Sequence, residues 1–185
     1  AGGGSIAHVP ELTRALRVGP ESAGAQPGPA AYDKGGSEPT VTDANVVLGY
    51  LPQHQKLGGD MNIRKDLAEQ AVQKVADAMG LGLHQAAEGI VKLINERMFG
   101  AVRLVSVEKG YDPRDFSLMA FGGAGPLHAN ALGQLTQAWP VIIPPGPGIL
   151  CAYRDATTRL RNEASKTLIV TMKNADSSKI AAELD

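Results

Sequence analysis

The strongest candidates for ligand chemistry in this sequence are two glycine-rich turns. Gly122-Gly123-Ala124-Gly125-Pro126 follows the apolar run Leu118-Met119-Ala120-Phe121 and precedes a run of helical composition that starts at Leu127. That order predicts a strand, a glycine turn and a helix. Glycines let the backbone approach a ligand closely and adopt positive φ. The N–H groups and dipole at the following helix N-terminus suit a phosphate or another anion. Pro126 stands where the first helical residue is expected, a position that tolerates proline because its N–H would be unpaired anyway. The spacing matches neither the P-loop nor the dinucleotide fingerprint, so a ligand loop and a tight structural turn both remain open. The second turn, Gly2-Gly3-Gly4-Ser5, runs straight into the strand-like Ser5-Ile6-Ala7-His8-Val9. This favours the tip of a phosphate-binding turn over a flexible spacer, and on that reading the sequence begins inside a functional motif.

Two further side chains sit near these turns. His128 falls in the first turn of the expected helix, either as a ligand contact or as a partly exposed polar residue. Cys151, the single cysteine, has no His-Asp constellation nearby, so a small buried residue is the expectation rather than a nucleophile. It excludes an internal disulfide and fits a reducing compartment. Residues 16–45 are dense in Gly, Pro and small side chains and exclude a regular helix or central strand. Glu21, Ser22, Tyr32, Asp43 and Asn45 are unusual in a linker, and long irregular segments in compact domains are commonly functional. The expectation is an ordered, site-lining loop, with Thr42-Asp43 capping a short helix that runs to Gly49.

The remaining pattern must position these residues. A polar segment at 53–60 reads as a surface loop. Leu67, Ala71, Val75 and Ala78 predict a helix that begins near Ile63 and stops at Gly80. A longer helix is expected over 84–109, with Ala87, Ile90, Val91, Ile94, Met98, Ala101, Val102 and Val105 as its buried stripe and Gly110 as its end. Together they make a helical hairpin. Asp112-Pro113-Arg114-Asp115 is a turn, and residues 139–143 form a strand closed by the rigid Pro144-Pro145-Gly146-Pro147-Gly148. Asp155-Ala156-Thr157-Thr158-Arg159 lines a pocket or caps a helix, 167–171 reads as a strand and 177–184 as the start of a helix. The 185 residues can hold one good core or one lobe of something larger. A formal net charge of −1 argues against nucleic acid and anionic membrane surfaces as partners. No apolar run reaches membrane-spanning length and no basic-then-apolar leader is present, so a cytoplasmic protein is expected.

Longer stretches carry a family resemblance. GGGSIA at 2–7, VGPESAGAQPGPAAY at 18–32 and EPTVTDANVVLG at 38–49 come in the same order as in the hydantoinase A / 5-oxoprolinase family. So do RLVSVEKGYDPRDFSLMAFGGAGPLHA at 103–129 and IIPPGPGILCA at 142–152. The sequence resembles that family over nearly its whole length, most of all N-methylhydantoinase A-like proteins. Acetone carboxylase subunits and ATP-dependent 5-oxoprolinases are relatives.

The resemblance implies an α/β fold, a partial actin/sugar-kinase/Hsp70-like (RNase H-like) lobe with the helical hairpin inserted. Residues 1–62 would be a site-lining loop region with short strands and 63–110 the hairpin. Residues 111–185 would be the nucleotide-binding strand, glycine loop and helix with a C-terminal strand, all parts of one larger domain. It implies ATP and Mg²⁺, with no metal ligands assigned. It also implies a small cyclic-amide substrate and a B-type hydantoinase subunit as partner, and a homo-oligomer is expected to cover the apolar edges of such a lobe. Gly2, Gly3, Gly4 and Ser5 match the family's second phosphate turn, and Gly122, Gly123, Ala124 and Gly125 its nucleoside loop. The family's first phosphate loop has no match here, so this stretch alone is expected to be inactive. Arg154 stands where relatives carry a small residue, and a long cation there would alter close approach. A carboxylate must hold the metal or the attacking water, and Asp43 and Glu21 are the catalytic candidates, both equally readable as caps or turn residues. The activity implied is ATP-dependent hydrolysis of a cyclic amide. The alternatives are an acetone carboxylase-like, ATP-dependent carboxylase subunit and a non-catalytic binding or assembly module.

Overall fold

The computed structural model describes residues 3–54 and 56–159, together with Glu163, Thr167 and Ser178. The strand expected at 167–171 and the helix at 177–184 lie outside the described residues, apart from the single positions Thr167 and Ser178. The chain divides into two compact units, Ala1–Ala152 and Tyr153–Asp185. The first carries all the features below.

Two short sheets and four helices build this unit. β1 (Ser5–His8) pairs antiparallel with β2 (Arg17–Ser22), Ser5 opposite Ser22 and Ala7 opposite Val18. Ile6 also bridges to Thr40, and the Ala7 N–H donates to the Pro39 carbonyl at 2.8 Å, so β1 is held on both sides. β3 (Leu118–Met119) and β4 (Val141–Ile142) pair in parallel, with the helix α4 (Gly125–Thr136) as part of their crossover. This is the expected strand, glycine turn and helix, with the helix starting two residues earlier than Leu127. The architecture is a mixture of helix and strand in which helix predominates.

The core lies between three helices. α1 (Val41–Val47) is buried along its entire length. α2 (Lys65–Met79) and α3 (Leu83–Val105) form the expected antiparallel pair, and both pack on α1. α2 ends at Gly80, whose φ of 65° is the left-handed cap conformation that glycine adopts without a Cβ penalty. The Gly82 N–H donates to Gln85 Oε1 at 3.2 Å, satisfying an amide at the start of α3. The hairpin is not a separate body, because its inner face makes one core with α1, Ala7, Val18 and Ala31.

The buried faces differ in detail from the expected stripes. On α2 the buried residues are Ala68, Ala71, Val72, Val75 and Ala76, while Ala78 is exposed. On α3 burial runs through Ala86, Ala87, Ile90, Ile94 and Asn95. It then fades, leaving Ala101 exposed and Val105 65 % exposed. The reason is length: α3, with 23 residues, outruns α1 with 7 and α2 with 15. The 3₁₀ turns Val107–Lys109 and Pro113–Asp115 follow, the second capped by the Asp112 carboxylate, which accepts from the Arg114 N–H at 2.9 Å.

The contrast along α3 is measurable. Ile90→Ala empties a fully buried site and should lower unfolding free energy by about 2–5 kcal/mol, whereas Leu104→Ala, at an exposed position, should stay within about 0.5 kcal/mol. Urea denaturation of the two variants checks this, and similar losses would contradict a core that ends near Asn95.

Candidate functional site

One cleft, of about 390 Å³, brings together the two glycine turns that stand more than a hundred residues apart in sequence. Gly3 and Gly4 line it from the β1 side, and Gly123 and Ala124 line it from the start of α4. Gly24, from the turn after β2, also faces it. The amide N–H groups of Gly3, Gly4, Gly123 and Ala124 find no acceptor among the described residues. Four unpaired donors around one hollow, two of them immediately ahead of a helix N-terminus, form an arrangement suited to an anion.

Packing favours glycine at the first turn, and conformation favours it at Gly122. A Cβ on Gly3 would stand 2.5 Å from Thr42 Oγ1, and one on Gly4 would stand 2.9 Å from Ser22 Oγ. Their carbonyls are tied down: the Thr42 N–H donates to Gly3 at 2.8 Å and the Ala23 N–H to Gly4 at 2.8 Å. The turn is therefore fixed while its N–H groups stay open. At the other wall Gly122 has φ 87°, and its N–H donates to the Pro147 carbonyl at 2.8 Å. Gly123 has nothing within 4 Å of an added Cβ, so that side of the cleft is open space.

The rest of the lining is neutral. Leu51, Leu57, Met61, Leu127 and Pro29 supply apolar surface, and Tyr32, Thr42 and Asn45 supply polar groups. The loop at 16–45 does face the cleft, through Gly24, Pro29, Tyr32, Thr42 and Asn45. The segment at 53–60 is more than a surface loop, since Leu57 lines the cleft and bridges to Met61. A separate hollow of about 340 Å³ runs beside α3 and α4 and touches none of the expected site residues.

The expected carboxylates are not in the cleft lining. Asp43 is fully buried and occupies the third position of α1, where it forms a capping box with Thr40. Its Oδ2 accepts from the Thr40 N–H at 2.9 Å and the Thr40 hydroxyl at 2.7 Å. Its Oδ1 accepts from the Ala31 N–H at 2.8 Å. The Ala30 N–H adds a longer contact to Oδ2 at 3.4 Å. Burial pushes the carboxyl above its usual range, and these donors pull it back. Of the two readings of Asp43, catalytic group or cap, this geometry is that of the cap. The N-cap itself is Thr40, two residues before the expected Thr42. Glu21 is exposed on β2 and does not line the cleft. Gly2 lies outside the described residues. Ser5 is buried on β1, and Gly122 and Gly125 flank the lining residues of the α4 turn.

His128 and Cys151 also depart from expectation. His128 is fully buried rather than partly exposed, with Nδ1 2.7 Å from Asn95 Oδ1 on α3. Burial holds its imidazole below the ordinary value. Cys151 is exposed, because the α5 segment that carries it (Leu150–Thr157) has no buried residue. Arg154 is exposed on the same helix.

Sequence reasoning placed Asn45 in the site-lining loop but gave Thr42 only as a cap. The signal was present in T-D-A-N: once Thr40 is the cap, positions i and i+3 of α1 share one face, and Asp43 turns to the other.

The comparison with known proteins decides the family. The sequence model described as hydantoinase/oxoprolinase matches residues 1–164. The chain belongs to the hydantoinase/oxoprolinase family. It is 45 % identical to the caprolactamase alpha subunit of Pseudomonas jessenii over 169 residues, 91 % of this chain and 24 % of that protein. The crystal structure of the ATP-dependent caprolactamase from Pseudomonas jessenii matches with a TM-score of 0.76 at 47 % identity, over 83 % of this chain and 22 % of the other. A nucleotide-free acetone carboxylase structure matches with the same TM-score at 32 % identity, over 83 % of this chain and 22 % of the other. The chain thus spans about a quarter of the length of these relatives. Among the described residues no helix is long and apolar enough to cross a membrane.

Two stability measurements follow. Asp43→Ala strands buried N–H groups of Ala31 and Thr40 and should cost about 3 kcal/mol of unfolding free energy. An unchanged melting temperature would remove the cap assignment. For His128, the folded state resists a proton that the unfolded chain takes up below about pH 6.5. Wild-type stability should therefore fall, relative to His128→Gln, as pH drops from that value toward the depressed folded-state value. Paired urea titrations at about pH 7.5 and 5.5 test the sign.

Proposed function

We propose that the cleft binds the phosphate-bearing part of ATP in an enzyme that opens a cyclic amide, hydantoinase or 5-oxoprolinase in type. The observation that carries this reading is the meeting of Gly3-Gly4 and Gly123-Ala124 around one hollow with their N–H groups unpaired. Its volume lies within the usual range for small-molecule sites. Similarity to caprolactamase and acetone carboxylase, both named as ATP-dependent, supports nucleotide use.

The chemistry of the substrate explains the need for ATP. The carbonyl of an unstrained ring amide is a poor electrophile; phosphoryl transfer from ATP to its oxygen releases ADP and makes the carbon reactive. Water then adds, the ring C–N bond breaks with the nitrogen leaving, and the acyl phosphate is hydrolysed to the acid and phosphate. The part played by this chain is to position and stabilise. Backbone N–H groups of the two turns hold phosphate oxygens without the motion of flexible side chains, and the α4 dipole adds to their field. The apolar surface of Leu51, Leu57 and Met61 displaces water from that field. Among the described residues no group of three or more His, Cys, Asp or Glu side chains gathers. The cleft lining carries no carboxylate, so these residues alone do not fit Mg²⁺.

The carboxylase alternative shares this cleft, and the match to acetone carboxylase favours keeping it. Both readings extend to a partner subunit, since the caprolactamase relative is itself a named subunit. ADP release by the full-length protein, measured with hydantoin, 5-oxoproline or caprolactam and separately with a ketone plus bicarbonate, distinguishes the reactions. Stimulation by none of the cyclic amides, with the partner subunit present, would overturn the hydrolase reading.

Gly123 allows a cleaner test of the cleft. Gly123→Val places a side chain in open space, away from any packed neighbour. It should leave the melting temperature within about 2 °C, since it touches no buried feature. ATP affinity should fall by at least about tenfold, or 1.4 kcal/mol. Undiminished ATP binding would remove the nucleotide from this hollow.

A further inference from the structure

Asn45 sits in the wall of the cleft with one end of its carboxamide satisfied and the other not. The residue is 1 % exposed. Its Nδ2 donates to the Val41 carbonyl, one turn back on α1, at 3.0 Å. That bond fixes which end is the amine, because a flipped amide would set its oxygen against a carbonyl oxygen. Oδ1 is buried and has no partner among the described residues. The backbone around it is also held: the Asn45 carbonyl accepts from the Tyr50 N–H at 2.9 Å and the Leu51 N–H at 3.3 Å. Fraying of α1 is thus no route to solvent for the side chain. A buried acceptor without a donor carries its full desolvation penalty, and native structures seldom leave one without a reason.

We infer that Asn45 is a specificity-determining acceptor of the cleft, whose Oδ1 takes a hydrogen bond from a neutral hydroxyl or N–H of the ligand seated between the glycine turns. This rests on the reading of the cleft as a nucleotide site. The division of labour follows from polarity. The open amides of Gly3, Gly4, Gly123 and Ala124 are donors and receive anionic oxygens, whereas Asn45 is an acceptor and requires a donor. A phosphate oxygen against Oδ1 would set two acceptors face to face. The cleft therefore fixes orientation, with the anionic part of the ligand on the glycine amides and a donor group on α1. Two sources offer that donor: the sugar hydroxyls or base amine of the nucleotide, and the ring N–H of a cyclic amide.

Asn45→Leu tests the assignment in the full-length protein. Leucine keeps the branching at Cγ but is larger than asparagine, so Asn45→Ala is measured beside it, and in both the Val41 carbonyl keeps the helix's own bond to the residue 45 N–H. Removal of an unsatisfied buried acceptor offsets part of the cost of the changed volume, while affinity falls about tenfold or more in both variants. The source is read from ligands that lack one donor: 2′-deoxy-ATP, 3′-deoxy-ATP and inosine triphosphate against ATP, and ring N-methylated hydantoin against hydantoin. In wild type the deletion that matters weakens binding, and in Asn45→Leu the same deletion costs nothing further, the signature of a direct pair. Titrations in EDTA remove bridging through metal-bound water, and a coupling that vanished there would overturn the direct contact. Binding of both ATP and hydantoin within twofold of wild type, with a lowered melting temperature, would make Asn45 structural and overturn the inference alone. Failure of wild type to bind either ligand would overturn the nucleotide reading and the inference with it.

Discussion

The geometry of the cleft depends on where the Asp43 carboxylate is buried. Placing an ionisable group in a core is costly unless donors replace water. Here the donors come from two places: Thr40, at the start of its own helix, and the backbone amides of Ala30 and Ala31. The second set lies twelve and thirteen residues away. The carboxylate therefore ties the irregular Gly/Pro segment to α1. The Ala31 carbonyl then accepts from the Arg64 N–H at 2.9 Å, which carries the tie on to the start of α2. Two exposed ion pairs, Arg64 with Asp33 and with Asp66, surround that junction. At such exposure they add little, and the buried carboxylate dominates.

Once α1 is anchored, the opposite face of the same helix can be used for recognition. Thr42 fixes the Gly3 carbonyl and leaves no room for a side chain there, so the turn is held with its amides unpaired at the edge of the hollow. The other wall is built independently, by a strand, a turn with positive φ and α4. His128 on α4 meets Asn95 on α3, which joins the second wall to the helix pair that carries the first. The two glycine turns thus reach one another through buried polar contacts, Asp43 on one side and His128 on the other. Apolar packing alone tolerates sliding and repacking. Directional contacts of this kind fix position more narrowly, which a site made of backbone amides demands.

What the sequence revealed followed the range of the interactions involved. The helix pair was legible because apolar spacing and Gly80 are local signals. The strand, turn and helix around Gly122–Gly125 were legible for the same reason. The cap of α1 was misplaced by two residues, since Thr42-Asp43 reads as a cap by itself, whereas the N-cap is Thr40 and Asp43 is its capping-box partner three residues on. His128 read either as a ligand contact or as a partly exposed polar residue because nothing nearby announces Asn95, 33 residues away. Cys151 looked buried because small residues usually are, yet α5 offers no core to enter. Leu57 and Met61 were hidden in a polar stretch, and only the bridge between them turns both toward the cleft.

Asn45 completes this logic. A helix whose every residue is buried has no structural use for an unsatisfied oxygen. Thr42 and Asn45 share a face by helical periodicity, while Asp43 between them holds that face still. The residue that stabilises the helix and the residue that lacks a partner are thus two positions apart on a single rigid turn. An acceptor held this way needs little ordering when a ligand arrives, so the entropy usually lost in fixing a recognition side chain has already been absorbed in folding. The folded state carries the desolvation cost of Oδ1, and a ligand donor of matching geometry relieves it. By the same argument, a ligand without that donor leaves Oδ1 unsatisfied, so the rigidity that favours one ligand also discriminates against its analogues.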